Sequence, residues 1–151
     1  MAAPATSELY SSYQTYLMHG TGSGTLSYTK IVDINSAPQM GGAPESIDMT
    51  SLSNAMKVSI PGIQQTDDLT FEANYNPTVF NTIKTTYCDG KVHHWALYLG
   101  ATSAGVPDGS AGIFTWDGIA SIYYNATGVN EGRKMSITIN PTTDIDFTAP
   151  T

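Results

Sequence analysis

The chain has 151 residues, 13% of them charged, with a formal net charge of −7 and one cysteine. That length suffices for one domain, residues 1–151, burying roughly 70% of the surface its unfolded chain exposes. One cysteine, Cys88, excludes an intrachain disulfide, and the scattered cations (Lys30, Lys57, Lys84, Lys91, Arg133, Lys134) exclude the clustered Lys and Arg that tight DNA binding needs.

Residues 1–10 read as a flexible arm without the basic and apolar regions of a signal peptide. No apolar stretch reaches membrane-spanning length, so no membrane insertion by this chain is expected. Tyr13–Met18 reads as a first strand, followed by a turn at Gly20–Gly24. Leu26, Tyr28, Val32 and Ile34 then fall on one face of an extended segment, with Ser27, Thr29 and Asp33 opposite. Lys30 interrupts the apolar face and Ile31 the polar one.

Residues 35–53 are the longest irregular stretch, holding Pro38, Gly41, Gly42 and Pro44. Connections of that length in a compact domain are usually functional or disordered, and this one carries Met40, Ile47, Met49 and Leu52. Ile47 and Met49 alternate with Asp48 and Thr50, the pattern of a strand or an arm seeking a surface. The stretch is therefore expected to be an interaction loop, with Pro44 and Glu45 at the start of its contact segment.

Met56, Val58 and Ile60 alternate with Lys57 and Ser59 and predict a strand that Pro61-Gly62 stops. Leu69, Phe71, Ala73 and Tyr75 alternate with Thr70, Glu72 and Asn74, the cleanest half-buried strand in the chain. Asn76 is a good helix cap and Pro77 suits the first helical position. Phe80, Ile83 and Tyr87 recur at helical spacing and form the expected core face of a helix running from Pro77 to about Cys88, ended by Gly90. Val92–Leu99 predicts a strand with Trp95, Leu97 and Leu99 on one face. A Gly/Pro/Ser loop is expected over 100–112, one or two strands over Ile113–Tyr124, an alternating strand over Arg133–Asn140, and a short last strand around Ile145 and Phe147. The fold class is thus mainly β: an antiparallel β-sandwich or barrel with one flanking α-helix.

No constellation of residues carries catalysis, cofactor binding or metal ligation. His93 and His94 are neighbours on a strand, so their side chains point to opposite faces and cannot share a site. Gly20–Gly24 lacks the Lys-Ser/Thr ending of a phosphate-binding loop. Asp144 and Asp146 share a strand face without a third acidic ligand nearby.

Three segments in order carry a resemblance: PESIDMTSLS (Pro44–Ser53), IPGI (Ile60–Ile63) and DLTFEANYNP (Asp68–Pro77). Together they resemble the middle of the tail tube proteins of long-tailed, non-contractile bacteriophages. That resemblance implies a structural virion protein that stacks as rings, six-fold in the family, into a hollow tube for DNA ejection. Its partners would be other copies of itself, the tape measure protein, and the tail tip and tail terminator proteins. Double-stranded DNA would pass without specific binding. The location would be the virion tail, assembled in the bacterial host cytoplasm. Acidic and small polar side chains would line the lumen, with Asp33, Thr70, Glu72 and Asn74 as candidates. Two alternatives stay open: a carbohydrate-binding β-sandwich using Trp95, Trp116, Tyr123 and Tyr124, and a minor tail protein such as a tail terminator. An enzymatic reading rests only on Cys88 and the two histidines.

Overall fold

The computed structural model describes residues 14–64 and 66–149. The expected N-terminal arm and Tyr13 lie outside them. Ten strands and one helix follow in chain order: β1 Thr15–Thr21, β2 Ser27–Val32, β3 Ile34–Ser36, β4 Pro44–Asp48, β5 Ser59–Gln64, β6 Leu69–Asn74, α1 Pro77–Thr86, β7 His93–Ala101, β8 Pro107–Tyr124, β9 Lys134–Pro141 and β10 Asp146–Thr148. Eight strands form one antiparallel sheet in the order β2-β1-β7-β8-β9-β6-β3, with β10 pairing the first half of β8. The two outermost strands, β2 and β3, are joined by Asp33 alone. A sheet whose two ends are one bent strand must curl on itself, which is how its inner face becomes a closed core.

The core is the set of inward positions that strand alternation dictates. Leu69, Phe71 and Ala73 of β6 face Met135, Ile137 and Ile139 of β9, all nearly fully buried. Leu17 of β1, Trp95 and Leu97 of β7, and Trp116 and Ala120 of β8 complete the layer. Phe71 and Trp116 lie parallel at 6.1 Å between centroids. Trp95 satisfies its buried indole by donating Nε1–H to the Gly118 carbonyl at 3.1 Å.

Helix α1 begins as its sequence requires. The Asn76 side chain accepts from the backbone N–H of Thr78 and Val79, and Pro77 follows at the first helical position. The helix ends at Thr86 rather than near Cys88, with Tyr87 as cap. Ile83 is 1% exposed and sits in the core, with Val79 and Tyr87 packed at its edge. Phe80 is only half-buried and rests on Tyr75 at 5.7 Å.

Four local expectations are corrected. Ile31, not Tyr28, packs against the core. Leu17 pairs with Val32 while Met18 pairs with Lys30, so Ile31 is the extra residue of a β-bulge, and a bulge reverses which face the preceding residues occupy. Lys30 therefore does not interrupt an apolar face; it belongs to the outer one. Pro61-Gly62 does not stop β5, which runs on to Gln64, because a two-stranded ribbon has a free edge where Pro needs no donor. Residues 107–112 are not loop but the start of an 18-residue β8. Gly109 (φ 68°) and Gly112 (φ 120°) bend it there, and the Phe147 ring closes over Gly112. Finally, part of the expected irregular stretch is regular, since β3 reaches Ser36 and β4 covers Pro44–Asp48.

The burial difference along α1 sets an expected order of stabilities. Ile83→Ala should cost about 2–4 kcal/mol, as for a truncated core aliphatic, and Phe80→Ala clearly less, because its ring keeps water on one side. Urea unfolding of the two variants checks this; equal losses would contradict the packing described.

Candidate functional site

Strands β4 and β5 form a two-stranded ribbon apart from the main sheet. Ile47 pairs with Ile60 and Asp48 with Ser59, and Met49 continues the ladder by donating its N–H to the Val58 carbonyl at 2.8 Å. Alternation then places Ile47, Met49, Val58 and Ile60 on one face. The other face carries Asp48, Thr50, Lys57 and Ser59, with Lys57 Nζ 4.0 Å from Asp48. Thr50 ties the ribbon's end, accepting from the Val58 N–H at 2.8 Å, and Ser51 and Asn54 bond to each other around the tip.

Among the described residues nothing from the core cluster covers the apolar face. Ile47, Met49, Val58 and Ile60 are 47%, 55%, 39% and 45% exposed, and none belongs to the core cluster. Leu52 at the tip is fully exposed and Met56 nearly so. Pro44 and Glu45 open the ribbon and are exposed. Met40 differs from the other sequence-predicted contact residues: it is half-buried against the core of its own subunit. Gln64 fixes the ribbon's base by donating to the Gly42 carbonyl at 2.7 Å. That bond closes the ribbon's two chains at its base. Of the expected strand of Met56, Val58 and Ile60, Met56 lies in a bend near the tip and Val58 and Ile60 belong to the exposed ribbon.

The candidate polar-face residues fall into two places. Thr70, Glu72 and Asn74 lie on the outer face of β6, opposite the core. Asp33 sits at the corner between β2 and β3, close to Asn74 through Asn35, whose amide donates to Asn74 Oδ1 at 2.8 Å. Both carboxylates are paired: Glu72 with Lys134 at 3.2 Å and Asp33 with Lys30 at 2.7 Å. Thr70 meets Thr138 of β9 at 3.2 Å. The face is therefore hydroxyl- and amide-rich, and its cations are tied to carboxylates.

The histidines separate as alternation requires. His94 bonds Asp117 at 2.6 Å on the outer face, while His93 turns inward to Asp89 at 2.9 Å. His19, which the sequence does not single out, is 4% exposed and bonds His93 at 3.1 Å. Its signal is unreadable without the fold, because β1 and β7 bring together residues 74 positions apart. Burial, then the neighbouring Asp89 charge, pushes the Cys88 thiol above its ordinary value, so it is a poor nucleophile. Among the described residues no group of three His, Cys, Asp or Glu is placed to hold a metal ion. Trp95 and Trp116 are buried in the core, leaving only Tyr123 and Tyr124 of the proposed sugar platform exposed.

If the ribbon is separate from the core, its apolar face can be made polar without unfolding the domain. The double variant Ile47→Asp/Ile60→Asp should unfold within about 0.5 kcal/mol of the parent in dilute solution. A loss of several kcal/mol in denaturant unfolding would show that the ribbon packs against its own subunit.

No family model matches the chain, and no curated protein matches it. Solved structures do. The tail of an empty GTA particle with C6 symmetry is 16% identical, with 93% of this chain and all of that chain covered and a TM-score of 0.67. The sheath–tube complex of an extracellular contractile injection system (PVC) in its extended state is 15% identical over 97% of this chain and 99% of that chain, with a TM-score of 0.65. The tube-terminating cap of the anti-feeding prophage is 12% identical over 99% and 95%, with a TM-score of 0.67. At these identities the likeness shows a shared fold: an antiparallel β domain with a single short helix.

Proposed function

We propose that this protein is a structural subunit of a phage-tail-type tube, joining copies of itself into stacked rings around a passage for DNA. The observation that carries the reading is the ribbon with one apolar face that no described residue of the core covers. An isolated two-stranded hairpin is marginal in water, and an exposed apolar patch marks a contact site. The partner is a second copy of this chain, for which the fold-sharing tail and sheath–tube structures are support. Ile47, Met49, Leu52, Val58 and Ile60 are the contact residues, with Pro44 and Glu45 setting the path and Met40 as the anchor in the home subunit. Six-fold rings follow the C6 symmetry of the GTA tail. Tubes of contractile injection systems share the fold, so the non-contractile assignment rests on the sequence segments alone. A tail terminator remains the second reading, because a tube-terminating cap shares the fold equally.

In this reading the outer face of β6, with Thr70, Glu72 and Asn74, and the Asp33 corner line the lumen. Their pairing refines how DNA is kept moving. A polyanion with one charge per about 1.7 Å of axis binds wherever uncompensated cations line its path. Carboxylates that hold Lys134 and Lys30 remove those cations from reach. Glu72→Lys should therefore leave tubes intact but add one cation and free Lys134 where a neutral pair stood, and slow DNA ejection. Normal ejection through such tubes would contradict the lumen assignment.

Electron microscopy of the purified protein tests the assembly reading. Tubes or rings are expected from the parent, and only free subunits from Ile47→Asp/Ile60→Asp. Tubes formed equally well by the double variant would overturn the role of the ribbon, and a capped, single-ring product would favour the terminator.

A further inference from the structure

We propose that the Asp89–His93–His19 chain is an acid-sensitive latch that ties the C-terminal end of α1 to strands β1 and β7. The geometry fixes where its protons sit. Asp89 Oδ1 is 2.9 Å from His93 Nε2 and His93 Nδ1 is 3.1 Å from His19 Nε2. An ionised carboxylate only accepts, so His93 carries its proton on Nε2 and presents a bare Nδ1. His19 must then donate from Nε2, which leaves its own Nδ1 bare. That atom is buried and has no partner.

An added proton on either ring breaks this arrangement. Placed on His19, it makes an N–H at Nδ1. Placed on His93 Nδ1, it forces His19 to accept at Nε2 and to move its own proton to Nδ1. Both routes put a donor where no acceptor lies within reach, the first also puts a cation in the interior, and a buried unpaired donor is costly.

The surroundings supply no relief. From the end of α1 the Tyr87 ring lies 4.3 Å from the His19 ring, and from β7 the Trp95 ring lies at 5.1 Å. Cys88, beside them, is a neutral thiol. Asp89 is held below the usual carboxylate range chiefly by the bond from His93, and it faces His93 rather than His19. His94 on β7 turns to Asp117 of β8 on the outer face, and either histidine when charged repels a charge on His19. Burial, with those two histidines, lowers His19 from 6.5 to about 4.

The sign follows from linkage. The unfolded chain takes up the His19 proton first as pH falls. The stabilisation is therefore complete above pH 6.5, lost progressively down to about pH 4, and unchanged below that. Between pH 7.5 and 5 this one group should raise the unfolding constant about 30-fold. The first contacts to open are the Tyr87 ring on His19 and the Tyr87 and Cys88 amides bonded to the Ile83 carbonyl.

Imidazole nitrogen NMR and denaturant unfolding at pH 7.5 and 5 test the latch on the intact chain. His19 is expected as the Nε2–H tautomer at pH 7.5, with a titration midpoint near 4. His19→Phe should lose most of the 30-fold pH effect, while His94→Gln, a change on the outer face, should keep it. An Nδ1–H tautomer at pH 7.5, or a His19 midpoint of about 6 or higher, would overturn the proposal even if His19→Phe fails to fold. So would a His19→Phe variant as acid-labile as the parent.

Discussion

A ribbon of two β-strands has no third layer, so an apolar face on it can be hidden only by something else. In this protein the face is Ile47, Met49, Val58 and Ile60, and among the described residues the core offers nothing to put against it. The domain beneath does not need the ribbon: its core of Leu17, Phe71, Trp95, Trp116 and Ile137 closes without contribution from β4 or β5. Two requirements are thereby separated. Folding depends on the curled sheet and α1, whereas the ribbon's surface is left for the neighbour proposed above. An unmatched apolar ribbon would be an aggregation hazard, which makes a specific, symmetric partner the economical explanation of its presence.

The curled sheet supplies a second separation, between inside and outside. The inward positions of β6 and β9 are apolar, as are those of β7 apart from His93, and the outward positions of β6 and β9 are Thr, Ser, Asn and paired charge. Surface ion pairs such as Glu72–Lys134 contribute little to stability. Their consequence here is chemical: they keep lysine ammonium groups occupied. The net charge of −7 then resides elsewhere on the surface, and the β6 outer face is closer to neutral than to acidic.

Much of this was legible in the sequence where one local rule was enough. β6 followed from alternation from Leu69 to Asn74, and α1 from Asn76-Pro77 and the spacing of Ile83 and Tyr87. The rest failed where a longer-range fact decided. Ile31 as a bulge residue depends on the partner strand, so Leu26–Ile34 looked like one strand with two flaws. Gly109 and Gly112 signal a loop in isolation, yet they bend a strand held on both sides by β7 and β10. Pro61 signals a stop, yet it sits on the open edge of a ribbon. The apolar residues of 35–53 mark the first strand of the ribbon, but its pairing with Ser59–Gln64 is not legible, because alternation cannot tell which strand a strand pairs with. His19 was invisible because its chemistry comes from His93 across a β-ladder.

Hydrogen exchange on free subunits and on assembled particles tests the central claim most directly. The account predicts that the amides of residues 45–48, and those of Ser59–Gln64 other than Pro61, exchange readily in the free subunit, since a lone hairpin opens easily. On assembly they should become protected by at least tenfold, while the amides of β6 and β9 stay as slow as before. Ribbon amides with equal protection in both states would contradict it.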